Sequence, residues 1–435
     1  MEQILYVFCN DVATAKIQYD NNDDTFHLEY LSDWVKTGFE LSPHLAFSQP
    51  IPSSSVKKFL ANLLPEGSGL EELSLYFQVS KSNVFGMITK LAAETAGALV
   101  FSSNDTLIPQ TLFRPITTNE LTQRIREREI KSIVIWDGKP RLSLAGVQDK
   151  LPIIVRDGSY GIGEGDLAST HILKFDAKKG HHTVLNEFLC MNLAKKAGLD
   201  AAHVEIRRFE NEPVLFVERF DRKVISLDKT QRIHIIDGCQ MLNLFPFEKY
   251  ERSHGSGRDV AHYREGASMK KTFNLTSLCS SPAADTLKMI RWSVYNLFIS
   301  NFDAHGKNIS FYVRKGKIEI SPFYDLVNVS MYPNFSQELA MAVGDVFESR
   351  AIKAYDLAQL CDECSINPRL LVKEFGQIGK KLTHALNTID VTHIAINKEE
   401  LFFIETLVDN IKQNIENFTF IAQDILSAYN TNFKE

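Results

Sequence analysis

A chain of 435 residues that is 44 % hydrophobic and 23 % charged can bury a substantial apolar core in two or three packed units, which excludes a disordered protein. A formal net charge of −6 gives no general pull toward nucleic acid or anionic lipid, so DNA is expected only indirectly, through a partner. Six scattered cysteines make no disulfide framework, Glu2 stands where a signal peptide is positive, and the most apolar predicted helix is broken by Arg291, Ser293 and Asn296; the expectation is a cytoplasmic protein with no membrane association.

Residues 1–130 read as a small α+β subdomain, with extended runs at 4–8, 25–30 and 97–101, helical apolar spacing at 56–64 and 84–95, and a capped, charged helix at 118–129. Residues 131–220 switch to strands, at 132–136, 150–155, 171–175, 204–209 and 213–218, around one helix at 183–197 that carries Leu185, Phe188, Leu189 and Leu193 and stops at Gly198. Between two of these strands, Gly161-Ile-Gly-Glu-Gly165 reads as a hairpin turn. Residues 221–435 form a mainly helical part, with helices at 284–302, 368–386 and 398–429, interrupted only by a hairpin at 309–320 that turns at Lys315 and Gly316. Cys361-Asp-Glu-Cys364 has metal-ligand spacing but no second pair nearby, and reads as a helix end with one thiol facing the core. The predicted class is α+β: a two-lobed, protein-kinase-like fold with a small α+β N-terminal subdomain, a β-rich nucleotide-binding subdomain and an all-α C-terminal lobe.

The sharpest signal lies between Asn301 and Asp325. Asp303, then Asn308 five residues on, then Asp325 after a hairpin reproduce the spacing of a kinase catalytic loop and its metal-binding aspartate. Phosphoryl transfer needs positioning and charge neutralisation, and these residue types supply both. Asp303 would accept the proton of the attacking hydroxyl, Asn308 and Asp325 would ligate Mg²⁺, and Lys307 would neutralise the transferring phosphate of ATP. A loop that merely caps and turns the chain accounts for Asp303 alone, but poorly for all three together.

A second set of residues completes a nucleotide site. Lys174 falls in an apolar alternation that points it inward, where it needs an anion; Glu187 and the α/β-phosphates are the candidates. No Gly-x-Gly-x-x-Gly lid precedes it, and Ser143-Leu-Ala-Gly-Val-Gln-Asp-Lys150 is the better phosphate loop, with a small core at Ala145 and Gly146 and a cation at Lys150. The backbone from Glu218 to Phe220, at the end of the last strand, is placed to bond adenine.

Taken in order, Ser143-Leu-Ala-Gly-Val-Gln-Asp-Lys150, His171-Ile-Leu-Lys174, Val217-Glu-Arg-Phe-Asp-Arg222, Asp303-x-His-x-Lys-Asn308 and Phe323-Tyr-Asp325 resemble the HipA family, serine/threonine-kinase toxins of bacterial toxin–antitoxin modules. Phe59-Leu-Ala-Asn-Leu-Leu-Pro-Glu-Gly67 and Ala96-Gly-Ala-Leu-Val100 extend the likeness over nearly the whole chain. The resemblance implies Asp303 as base, Asn308 and Asp325 as Mg²⁺ ligands, Lys174 as phosphate lysine and Glu218 with Phe220 as adenine hinge. It also places Ala145, Gly146, Val147, Gln148, Lys150 and His305 at the nucleotide, and makes Ser143 an autophosphorylation site whose modification would expel the phosphate loop. The partners it implies are a HipB-like helix-turn-helix antitoxin and, as substrate, an aminoacyl-tRNA synthetase such as glutamyl-tRNA synthetase. The chain departs from the family at Ile235-Ile-Asp-Gly-Cys-Gln240 and in the long polar segment 252–268, whose Arg252, Arg258 and Arg264 read as a solvated loop or a substrate contact. A catalytically weak, antitoxin-binding corepressor and a small-molecule phosphotransferase are the alternatives; intact Lys174, Asp303, Asn308 and Asp325 argue for catalysis.

Overall fold

In the computed structural model, which describes residues 2–48, 50–91, 95–107, 111–128, 130–133, 135–141, 150–165, 167–176, 182–390 and 393–434, the chain is mixed α/β and divides into two units. One comprises Met1–Lys178, Glu205–Pro246 and Ser310–Ile318; the other comprises Lys179–Val204, Phe247–Ile309 and Glu319–Glu435.

The first unit opens with a four-stranded antiparallel sheet in the order Thr25–Tyr30, Val12–Asp20, Glu2–Cys9, Leu99–Ser102. Alternation buries Ala15, Ile17 and Tyr19 on one face, where Tyr19 meets the rings of Phe26 (4.8 Å) and Phe85 (4.7 Å). The strand Val12–Asp20 and the helix Gly67–Phe77 were not expected. Alanines and a lysine dilute the first pattern and two glycines the second, so packing rather than propensity decides both.

A second sheet of six strands runs Val204–Phe209, Glu212–Glu218, His171–Phe175, Lys150–Arg156, Ser159–Glu164, Leu112–Ile116. Its core gathers Trp136, Leu151, Ile153, Leu173, Phe175, and Phe216. Two expectations are corrected here. Gly161-Ile-Gly-Glu lies inside a strand, and the chain turns earlier, at Asp157 and Gly158, both with positive φ. Gly161 serves close packing: a Cβ there would come 2.2 Å from the ring of Phe113. Leu112–Ile116, absent from the predicted strands, is the edge strand, where Pro115 costs no ladder bond to a further neighbour.

The region after residue 221 is not helical throughout. Arg222–Ser226 pairs with Lys229–Arg232, Ile235–Asp237 joins Ser310–Arg314 and Lys317–Ile320 in a three-stranded sheet, and Glu338–Val343 pairs with Val346–Glu348. These runs are too short for periodicity to separate them from loop. The predicted hairpin at 309–320 is present, turning through Gly316 at φ 65°.

The second unit is built mainly of helices: Thr183–Ala197, Pro282–Phe298, Ala354–Glu363, Pro368–Thr388, Lys398–Ala422 and Ile425–Asn432. Trp292, Tyr295, Phe298, Phe375 and Phe418 are fully buried, with Phe298 edge-on to Phe375 at 5.7 Å. The helix Pro282–Phe298 starts with proline in its first turn and ends short of the predicted residue 302, because Ser300 turns left-handed at φ 52°. Asn414 Nδ2 then donates to the Phe298 carbonyl (3.1 Å) and to Ser300 Oγ (2.8 Å), satisfying that helix end. The predicted helix 398–429 is broken after Ala422. All six cysteines are buried and free. Both Cys361 and Cys364 face inward, not one of them, and burial pushes each thiol up to about 12. Among the described residues no helix is long and apolar enough to cross a membrane.

Candidate active site

The loop 300–308 winds around one carbonyl. After Ser300, buried Asn301 donates to Asn296 Oδ1 (2.9 Å) and to the Asp325 carbonyl (3.4 Å), linking the loop to the distant aspartate. Ala340 N–H, from the strand Glu338–Val343, bonds the Phe302 carbonyl at 2.8 Å. His305 N–H and Asn308 Nδ2 both donate to the Asp303 carbonyl, at 2.8 and 2.9 Å. The Asp303 side chain is left exposed while His305, Lys307 and Asn308 are buried behind it. Tyr324 OH donates to the Lys307 carbonyl at 2.8 Å, and Asp325 follows in the left-handed region at φ 54°, a conformation aspartate tolerates better than most residues. Asp303, His305, Lys307, Asn308 and Asp325 thus belong to one connected assembly.

Its electrostatics are specific. Burial and the neighbouring Lys249 ammonium hold the His305 imidazole well below its ordinary range, against the opposing pull of Asp325, so the ring is neutral at physiological pH. Tyr250 meets that ring edge-on at 5.1 Å, and its hydroxyl donates to Asp303 Oδ1 at 2.7 Å. Nothing in the local spacing of the catalytic loop marks Tyr250, which lies 53 residues upstream. The donor set suits a hard divalent cation. Committing Asn308 Nδ2 to a backbone carbonyl presents its amide oxygen as the other prong, and Asp325 offers a carboxylate.

In the other unit, Lys174 and Lys150 are directly opposed on neighbouring strands and both are buried. Glu218 is exposed at its strand end, opposite His171. Phe220 is half-buried; its carbonyl accepts from Tyr312 OH at 3.1 Å and its ring stands edge-on to Tyr312. Next in the chain, Asp221 is clamped by Arg219 (2.8 Å) and Arg222 (2.6 Å) and accepts from Gly97 N–H (2.9 Å). Burial alone would raise the Asp221 carboxyl, but the two guanidiniums outweigh it and hold the group well below the usual carboxylate range. Ser143, Ala145, Gly146, Val147 and Gln148 lie outside the described residues.

The polar segment 252–268 is not simply a solvated loop. Arg264 bonds Glu251 (2.5 Å) and Asp345 (2.5 Å), while Arg252 bonds Glu338 (3.2 Å) and stacks over Phe347 at 3.8 Å. Arg258 is exposed. Two of the three arginines therefore hold the segment to its own unit.

Two family models match the chain: the HipA N-terminal domain over residues 5–102 and the HipA-like C-terminal domain over residues 142–386. The serine/threonine-protein kinase toxin HipA of Shewanella oneidensis is 40 % identical over 401 residues, 92 % of each chain. A provisionally named kinase of Sinorhizobium fredii is 32 % identical, over 68 % of this chain and 70 % of its own. Among solved structures, HipA from the Shewanella oneidensis complex of HipA, HipB and operator DNA matches with a TM-score of 0.88 at 37 % identity, covering 97 % of this chain and 99 % of that one.

Proposed function

Because the chain belongs to the HipA family of serine/threonine-protein kinases, we propose that it transfers the γ-phosphate of ATP, with Mg²⁺, to a protein hydroxyl and acts in the cytoplasm as the toxin of a toxin–antitoxin pair. The observation that carries the reading is the loop folded around the Asp303 carbonyl, which leaves the Asp303 carboxylate exposed and spends the Asn308 amide nitrogen on the backbone rather than its oxygen. Asp303 accepts the proton of the attacking serine or threonine. Asn308 and Asp325 would hold Mg²⁺, which neutralises phosphate charge when bound. Lys174 and Lys150 engage phosphate oxygens, Lys307 and neutral His305 line the reacting end, and Glu218 with Phe220 bonds adenine.

A HipB-like antitoxin is the proposed partner, supported by the relative solved with HipB on operator DNA; DNA contact is then indirect. The proposed substrate is an aminoacyl-tRNA synthetase such as glutamyl-tRNA synthetase, and Ser143 is the proposed autophosphorylation site. The test is transfer from radiolabelled ATP into lysate proteins, read by mass spectrometry. Label on one protein is expected, together with label at Ser143; label on a metabolite alone, or none despite antitoxin binding, overturns the reading.

A further inference from the structure

We infer that Tyr250 is a positioning residue for phosphoryl transfer: its phenol holds the Asp303 carboxylate in the orientation that meets the incoming hydroxyl. The inference rests on Asp303 being the base, as proposed above. An aspartate side chain can occupy several rotamers, and misplacing a base by about 1 Å can cost about 10²-fold in rate. The hydroxyl of Tyr250, 2.7 Å from Asp303 Oδ1, selects one of those rotamers.

The backbone on both sides of Tyr250 is built to aim it. Gly306 N–H donates to the Lys249 carbonyl at 3.0 Å, and Glu251 N–H donates to the Ala340 carbonyl at 2.9 Å. Ala340 N–H donates in turn to the Phe302 carbonyl at 2.8 Å. The two neighbours of Tyr250 are therefore tied to the two flanks of Asp303, through Gly306 on one side and Ala340 on the other. The chain is also backed closely: a Cβ on Gly266 would come 1.9 Å from the Tyr250 carbonyl. Next to it, the buried Glu251 carboxylate accepts from Ala342 N–H (2.8 Å) and Arg264 (2.5 Å), pinning the segment from behind. The ring itself leans on buried His305 at 5.1 Å. A tyrosine placed only to cover surface needs none of this scaffold, since an exposed hydroxyl–carboxylate bond adds little to stability.

Tyr250→Phe keeps the ring and its edge contact with His305 and removes only the hydroxyl. Steady-state transfer from ATP to a generic serine-containing peptide is expected to show kcat reduced about tenfold, with KM for ATP unchanged. In an Asp303→Asn background the same substitution is expected to change the residual rate by less than twofold, because the carboxylate it positions is gone. Wild-type kcat in Tyr250→Phe, or an equal loss in both backgrounds that follows a lowered melting temperature, overturns the inference. Full turnover in Asp303→Asn alone removes the base assignment instead, so the two failures are told apart.

Discussion

Asp221 and Asp303 are both aspartates set among cationic residues, and their surroundings could hardly differ more. Asp221 is buried, with two guanidiniums and a backbone N–H directed at its carboxylate. Asp303 is exposed, with its carbonyl accepting bonds from within the loop and the Tyr250 phenol on its Oδ1. In Asp221 the side chain takes the structural bonds and holds the chain in place; in Asp303 the backbone carbonyl takes them and the carboxylate faces solvent.

The largest effect that would test this contrast is in rate. Asp303→Ala and Asp325→Asn, the latter keeping a residue that tolerates the left-handed backbone, are each expected to lower phosphate transfer by about 10³-fold or more with an unchanged melting temperature, measured with labelled ATP. Undiminished autophosphorylation in either variant would erase the distinction. Asp221→Asn is the converse: about 3–5 kcal/mol of stability is expected to be lost in urea unfolding, because Arg219 and Arg222 stay buried but lose the carboxylate charge that both face. A smaller effect is expected from His234, whose Nε2 bonds the Leu41 carbonyl at 2.9 Å and which burial lowers from 6.5 to about 4. The unfolded chain takes up that proton from about pH 6.5 downward while the folded chain resists it until about 4. Stability is thus fully present above 6.5 and falls by about 3 kcal/mol in total as the pH drops through this window. His234→Gln, which keeps a donor, should flatten that part of the profile. The smallest change is at Thr117, whose hydroxyl accepts from Glu120 N–H and caps the helix Thr118–Glu127; Thr117→Ala should cost about 1 kcal/mol in thermal unfolding.

What was legible beforehand follows from where the signal is local. The helix Thr183–Ala197 has continuous apolar spacing and a glycine stop, and its predicted bounds match. The strand His171–Phe175 likewise declared itself by composition; Lys174 is buried, but so are Leu173 and Phe175 on either side of it, so alternation did not single it out. Asp303, Asn308 and Asp325 stood out because their spacing carries chemistry. Val12–Asp20 and the hairpin Arg222–Arg232 pair with their sequence neighbours but carry too few apolar residues in alternation to stand out, whereas Leu112–Ile116 was missed because its partner strand Ser159–Glu164 lies far along the chain. Tyr250 was hidden for the same reason: what makes it notable is a bond to a residue 53 positions later. The glycines at 161 and 163 misled in the opposite sense, since a pattern that signals a turn was instead serving close packing.

The buried cysteines have a practical side. With all six inside and thiols such as Cys190 and Cys361 pushed up to about 12 by burial, the native protein offers almost no thiolate to electrophiles or peroxide. A single cysteine introduced on the surface can therefore carry a fluorophore without deleting any native one, and the protein's own motions can be watched against a chemically silent background.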